Sequence, residues 1–202
     1  MSVELIVLFL ITVLPLICTP GPDILFAASQ GVSGGKRAAL RAVAGVLLGY
    51  SAHAVLSALG IAALIAASPV LFMTLKWLGV GYLAYLALQL FRSSLQKRGD
   101  IVIPNMPQVS LWRGFLTSFL NPKGLIMYLA ILPQFVSSDG NAVIQILILS
   151  TFFVFSCGVV YGVIGLASAN VAGRPISDRA RRKMEAISGL LLTGAAAKIA
   201  AQ

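Results

Sequence analysis

Two ionisable side chains stand inside apolar runs, each just behind a proline. Asp23 closes the stretch Thr19-Pro20-Gly21-Pro22-Asp23, and Lys123 lies in Asn121-Pro122-Lys123-Gly124. A carboxylate and an ammonium can hold and release opposite charges, and the carboxylate can also carry a proton. No nucleophile, base and orienting group converge on them, and no cysteine or histidine spacing matches a metal site. The chemistry to expect is therefore binding rather than bond making, with no metal, no cofactor and no enzymatic reaction.

The elements that must position these two residues follow from composition. Of the 202 residues, 58% are hydrophobic and 10% charged. Two stretches, 42–75 and 140–173, run 34 residues each without Asp, Glu, Lys or Arg. A bilayer core of about 30 Å is crossed by roughly 20 apolar helical residues, so the chain reads as an all-α integral membrane protein of one domain, 1–202. The early apolar run, with Glu4 as its only charge, lacks the basic start of a removable signal peptide and is expected to stay as a helix. Cys18 and Cys157 lie in apolar runs, where a thiol behaves as a small hydrophobe.

Length and apolarity predict six spans: Leu5–Ser29, Ala39–Ala67, Val70–Phe91, Leu111–Val136, Ala142–Ala169 and Ala186–Ala200. The first and fourth are broken by their prolines, and Ser68-Pro69 is a tight turn between the second and third. Twelve of the 15 basic residues fall in alternate segments, 30–41, 92–113 and 170–185. The positive-inside rule places those segments in the cytoplasm and both termini outside, along with the turn 137–141. Lys76 and Lys198, near outer ends, can snorkel. The net charge of +9 is thus a topology signal, and nucleic acid is not an expected partner. Arg179–Lys183 reads first as part of that signal and second as a contact for anionic lipid.

The polar segment 93–110 divides the chain into halves, 1–92 and 111–202, each opening with a broken span. Gly45-x-x-x-Gly49 in the second span is echoed by Gly158-x-x-x-Gly162 in the fifth. The expected plan is a 3+3 inverted repeat, the design of many secondary transporters. The glycine pairs are expected to pack helices closely.

At each break the local rules agree. Proline suits the first helical position, with Gly21 capping Pro22 and Asn121 capping Pro122. A new half-helix then starts inside the bilayer, and its freed backbone groups must line a cavity or a protein interface. Asp23 suits a helix N-terminus, whereas Lys123 there is opposed by the helix dipole. Each charge costs about 2.5–3.5 kcal/mol at a span centre, so both must be paired, wetted or neutral. Two readings stand: a buried Asp23–Lys123 pair that only fixes packing, and a substrate cavity. A cavity of one anion, one cation and two half-helix starts suits a zwitterion such as a neutral amino acid.

These motifs, with Gly79-Val80-Gly81-Tyr82-Leu83 and Leu132-Pro133-Gln134-Phe135-Val136, resemble the LysE/RhtB family of amino-acid exporters over nearly the whole chain. The resemblance implies a six-helix bacterial inner-membrane exporter driven by the proton gradient or the membrane potential. Its partners would be an amino acid, protons and the bilayer, with a second copy of the chain as a homodimer. Site residues on this reading are Thr19, Pro20, Gly21, Pro22, Asp23, Asn121, Pro122 and Lys123. His53 is a further candidate as proton relay or as a hydrogen-bonded interior histidine. Tyr50, Tyr82, Tyr85, Tyr128 and Tyr161 could line a pathway or pack. Tyr128, five residues past Lys123, is the first choice among them. Gln134 suits either substrate contact or a helix–helix hydrogen bond. A cation-efflux protein or channel using the same cavity is the competing reading.

Overall fold

The computed structural model describes residues 1–67, 69–96, 111–137, 140–170 and 177–200. Every regular element among them is helical: α1 Val3–Cys18, α2 Pro22–Ala67, α3 Pro69–Leu95, α4 Leu111–Phe119, α5 Pro122–Ile126, α6 Ala142–Asn170 and α7 Asp178–Ala200. A π turn, Met127–Ile131, and a 3-10 turn, Leu132–Phe135, continue α5. The expected segment 97–110, Ser68, Ser138-Asp139 and 171–176 lie outside the described residues, as do the side chains of Lys76, Tyr82 and Lys198.

The second break falls at Asn121-Pro122 as expected, and the first falls between Cys18 and Pro22, for the same local reason. Thr19 precedes Pro20 and is extended (φ −66°, ψ 127°). Asn121 precedes Pro122 and is extended as well (φ −74°, ψ 118°). A residue before proline is disfavoured in the helical region, and α1 and α4 end at these two positions, although Leu14 before Pro15 stays helical inside α1. The α4 arm and the arm that starts at Lys123 meet at 55°. Pro133 then cannot donate to the carbonyl four residues back, and the chain loosens into the π turn before tightening into the 3-10 turn.

Two expected boundaries are corrected. Segment 30–41 is not a loop: the chain is helical on both sides of a single non-helical residue, Gly35 (φ 69°, ψ −166°). Positive φ of this kind is cheap only for glycine. A straight helix would separate Ala27 from Ala39 by about 18 Å, yet a Cβ on Gly165 would meet both, Ala39 Cβ at 3.1 Å and the Ala27 carbonyl at 3.3 Å. The chain therefore folds back at Gly35. The second correction is at α7, which starts at Asp178 rather than Ala186. Arg179–Lys183 are helical, because Arg, Lys and Ala favour helix whatever their polarity, and an acidic first residue suits the N-terminus.

Grouped across the breaks and divided at Gly35, the helices among the described residues number six in the expected order. By length and apolarity alone, two stretches among the described residues suffice to cross a membrane, Ala142–Asn170 and Pro22–Gly60, the latter holding the fold-back at Gly35, or three if the bent pair at the second break is one span. Large apolar side chains cover the outside, with Phe155 70% and Val163 63% exposed. An outer face of this kind suits lipid rather than water.

Inside, α2 packs most extensively on α6 and on α4, and α3 on α7. Close approach explains the small residues at these contacts. A Cβ on Gly45 would lie 2.3 Å from the Leu111 carbonyl, and one on Gly49 2.1 Å from Ser118 Oγ. Ser118 uses that proximity to donate to the Val46 carbonyl at 2.8 Å. Gly158 meets only the flexible tip of Leu47 at 3.3 Å, and a Cβ on Gly162 would meet nothing within 4 Å. The echo of the glycine pair in the fifth span therefore does not carry the same packing inside one chain.

Candidate functional site

The two breaks, about a hundred residues apart in sequence, dock on one another. Lys123 Nζ donates to the Thr19 carbonyl at 2.9 Å. That carbonyl belongs to the residue capping α1, where the helix has no further N–H to offer. The ammonium thus sits at the C-terminal end of a 16-residue helix, where the dipole favours a cation. This resolves the conflict noted for Lys123 at the start of its own half-helix: its charge is used at a different helix end.

Asp23 is 2% exposed and is held from two sides. Its Oδ2 accepts from Tyr50 Oη at 2.5 Å and from Asn121 Nδ2 at 2.7 Å. Hydrogen bonds to an ionised acceptor are among the stronger ones. Its other oxygen, Oδ1, is buried with no hydrogen-bond partner. Asp23 and Lys123 lie within Coulombic range, but the ammonium is bonded to the Thr19 carbonyl, and no ion pair joins them among the described residues. The packing-only reading, a direct Asp23–Lys123 pair, is not the arrangement found.

Asn121 works on both sides of the interface. Its Oδ1 accepts from the Lys123 N–H at 3.0 Å, the N-cap expected from sequence, while its amide reaches Asp23. Gly21 lies beside the ammonium, where a Cβ would stand in ordinary contact at 3.8 Å from Lys123 Nζ. Its carbonyl accepts from the Leu25 N–H at 3.0 Å, as a residue at the cap position should. Pro20 is half-buried and Pro22 exposed. Thr19 Oγ1 turns back to the Pro15 carbonyl at 2.8 Å.

The remaining sequence candidates occupy the surroundings. His53 is buried, and its Nε2 donates to the Phe119 carbonyl at 2.9 Å. That acceptor is freed because the Lys123 N–H is taken by Asn121. The His53 ring stacks on Phe119 and Tyr128 at 4.7 and 5.6 Å. Tyr128 is buried with its hydroxyl unbonded, and its ring edge meets Phe153. Gln134 donates to the Ala130 carbonyl at 2.6 Å within its own span, on the backbone loosened by the π turn. Its Oε1 has no partner.

Tyr50, rather than Tyr128, is the tyrosine that reaches the carboxylate. Its ring meets Phe153 edge-on at 5.1 Å, and the Tyr161 hydroxyl lies behind its own. The signal for it was present. A buried tyrosine hydroxyl in a span needs a polar partner, and Tyr50 directly follows the Gly49 that brings α2 against α4. Gly124 was also missed as a site residue. A Cβ there would come 2.6 Å from Tyr50 Cε1, so the glycine is what admits the ring that holds Asp23. Gln145, a third omission, clamps the end of the fourth span, bonding both the N–H and the carbonyl of Ser137 at 2.9 and 3.0 Å.

Comparison with known proteins matches the sequence of this chain to a family. The model of LysE type translocators matches residues 14–202. An uncharacterized membrane protein of Vibrio cholerae is 29% identical, the match covering 96% of this chain and 95% of that one. The uncharacterized membrane protein YrhP of Bacillus subtilis is 32% identical over 67% of this chain and 70% of its own. A leucine efflux protein of Salmonella choleraesuis is 29% identical over 63% of this chain and 61% of its own. No solved structure matches.

Proposed function

The chain belongs to the LysE type translocator family, whose members are transporters rather than enzymes, and from that premise we propose that it exports neutral amino acids in exchange for protons. The observation that carries this reading is the pair of charges at the docked breaks. Asp23 keeps one buried carboxylate oxygen unbonded, while the Lys123 ammonium rests on a backbone carbonyl that a stronger acceptor can replace. A zwitterion supplies both complements: its carboxylate for Lys123 and its ammonium for Oδ1 of Asp23. The leucine efflux relative supports a small aliphatic amino acid among the neutral ones.

The same contacts support a mechanism. Lys123–Thr19 and Asn121–Asp23 tie the first break to the second; a substrate carboxylate that takes over Lys123 releases the first of these ties, while an ammonium on Oδ1 of Asp23 leaves the Asn121 bond to Oδ2 in place. The pairing of α2 with α6, of α3 with α7 and of break with break supports a 3+3 inverted repeat rocking about the breaks. Protonation of Asp23 would release the ammonium and couple exit to proton entry. One inward proton draws about 2.3 kcal/mol per 100 mV from the membrane potential. On this reading the protein works in the bacterial inner membrane, with segments 30–41, 92–113 and 170–185 on the cytoplasmic side.

The test is export from cells preloaded with labelled amino acids, for wild type, Lys123→Ala and Asp23→Asn at matched membrane levels. Export of one or a few neutral amino acids, silent in Lys123→Ala and insensitive to pH in Asp23→Asn, is the expected result. Export unchanged in Lys123→Ala would overturn the role given to the ammonium. Flux of inorganic cations without counterflow exchange would replace the exporter with a channel or cation-efflux protein.

A further inference from the structure

A second cluster of charge lies far from the breaks in sequence, where the end of α3 meets the start of α7. A cavity of about 450 Å³ is lined there by Ser94 and Leu95 from α3 and by Asp178, Arg179, Arg182, Lys183 and Ala186 from α7. Its volume lies within the ~300–1,000 Å³ of ordinary ligand pockets. The α7 residues fall at spacings of three and four, so they share one helix face. Three cations against one carboxylate leave the lining net positive.

Two features separate this cluster from a solvated run of charge. Arg182 is anchored: its Nε donates to the Ser94 carbonyl at 2.6 Å, at the end of α3. That bond uses one of the five donors of a guanidinium, and it fixes the plane of the group against the cavity. In addition, Arg179 and Lys183 stand four residues apart on the same face, an arrangement of like charges that costs a helix about 0.2–0.5 kcal/mol and that a bound anion would relieve. Leu95, 76% exposed, and Ala186 add an apolar wall beside the cations. A phosphate with an attached hydrocarbon chain meets both surfaces.

We propose that this cavity binds an anionic phosphate group, of the kind carried by a phospholipid headgroup, with Arg179, Arg182 and Lys183 as its ligands. Arg182 and the cavity walls tie α3 to α7, so an occupant here would clamp the third helix of one half to the last helix of the other. The site is separate from Asp23 and Lys123 and stands whether or not the export reading holds.

The experiment uses the full chain purified in a neutral detergent. Native mass spectrometry reads the retention of phosphatidylglycerol against phosphatidylcholine, and thermal unfolding is followed with each lipid and with inorganic phosphate. The variant is Arg179→Gln with Lys183→Gln, both exposed positions, which leaves the Arg182–Ser94 bond in place. The control is Arg37→Gln with Arg41→Gln, equally exposed and also removing two charges. Phosphatidylglycerol affinity should fall roughly thirtyfold in the variant, from about fivefold for each basic residue near an anionic headgroup, and stay unchanged in the control. Protection by inorganic phosphate equal to that by the lipid would assign the same site to free phosphate. Equal lipid retention in variant and wild type, or equal loss in the control, would overturn the proposal.

Discussion

Substituting Gly124 by alanine tests whether the candidate site is held from behind. The new Cβ would lie 2.6 Å from Tyr50 Cε1 and 3.4 Å from Cδ1, whereas carbon atoms rest at about 3.5–4.0 Å. The ring must retreat by about 1 Å, and it is 1% exposed with Phe153 against it. Overpacking of this kind costs about 1–3 kcal/mol. A retreat of that size would carry the Tyr50–Asp23 bond from 2.5 Å to about 3.5 Å, beyond the range of a useful hydrogen bond. Loss of a bond to a charged group is worth about 1.5–3 kcal/mol, or roughly 10- to 150-fold in a rate that depends on it. The assay is the initial rate of counterflow in proteoliposomes, for Gly124→Ala, Tyr50→Phe and the double variant at equal incorporation. Tyr50→Phe loses the bond without the clash, so the two effects should overlap: in the Tyr50→Phe background, Gly124→Ala should slow exchange by only a fewfold. Fully additive effects, or wild-type exchange in Gly124→Ala, would refute the claim that Gly124 acts through Tyr50 on Asp23.

Three further outcomes follow from the same contacts. Asn121→Ala removes both the cap on the Lys123 N–H and the bond to Asp23. It should cost about 1 kcal/mol for the cap and about 1.5–3 kcal/mol for the charged bond, read as a lowered unfolding temperature in detergent. Gly49→Ala would drive a methyl group to 2.1 Å from Ser118 Oγ and 2.7 Å from the Phe115 carbonyl, whereas Gly162→Ala meets nothing within 4 Å. The first should lose at least about 1–3 kcal/mol of stability and the second change it by less than about 1 kcal/mol, a contrast measurable by thermal unfolding of the two variants side by side. His53→Ala strands the Phe119 carbonyl at the second break and should cost about 1–3 kcal/mol. If His53 is structural, the pH profile of transport should keep its shape in a stable His53→Gln variant, and a changed profile would restore the relay reading.

Much of this protein was legible because its strongest signals are local. The prolines at 20, 22 and 122 disfavour helix at the residues before them or remove a donor, so the second break was placed from sequence, while the first was confined to Pro20–Pro22 and resolved only by the structure. The cap of Asn121 on the Lys123 N–H spans two residues and follows from the same rules. Composition fixed the solvent, and the motifs around the breaks carried the family. Boundaries failed where polarity misled: a basic segment read as loop is helix turned at Gly35, and the charged start of α7 is helical despite its polarity.

The partners of the charges were beyond reach of any local rule. Lys123 finds the Thr19 carbonyl across 104 residues, Asn121 finds Asp23 across 98, and Tyr50 reaches the carboxylate only because Gly124 leaves room for its ring. Sequence determined that two charges must enter the apolar interior at two interrupted helices, since proline chemistry and the cost of burying charge act residue by residue. Tertiary structure alone decided that the cation answers the end of one helix while the anion keeps an oxygen unbonded, because hydrogen-bond direction and steric clearance exist only once the helices are packed.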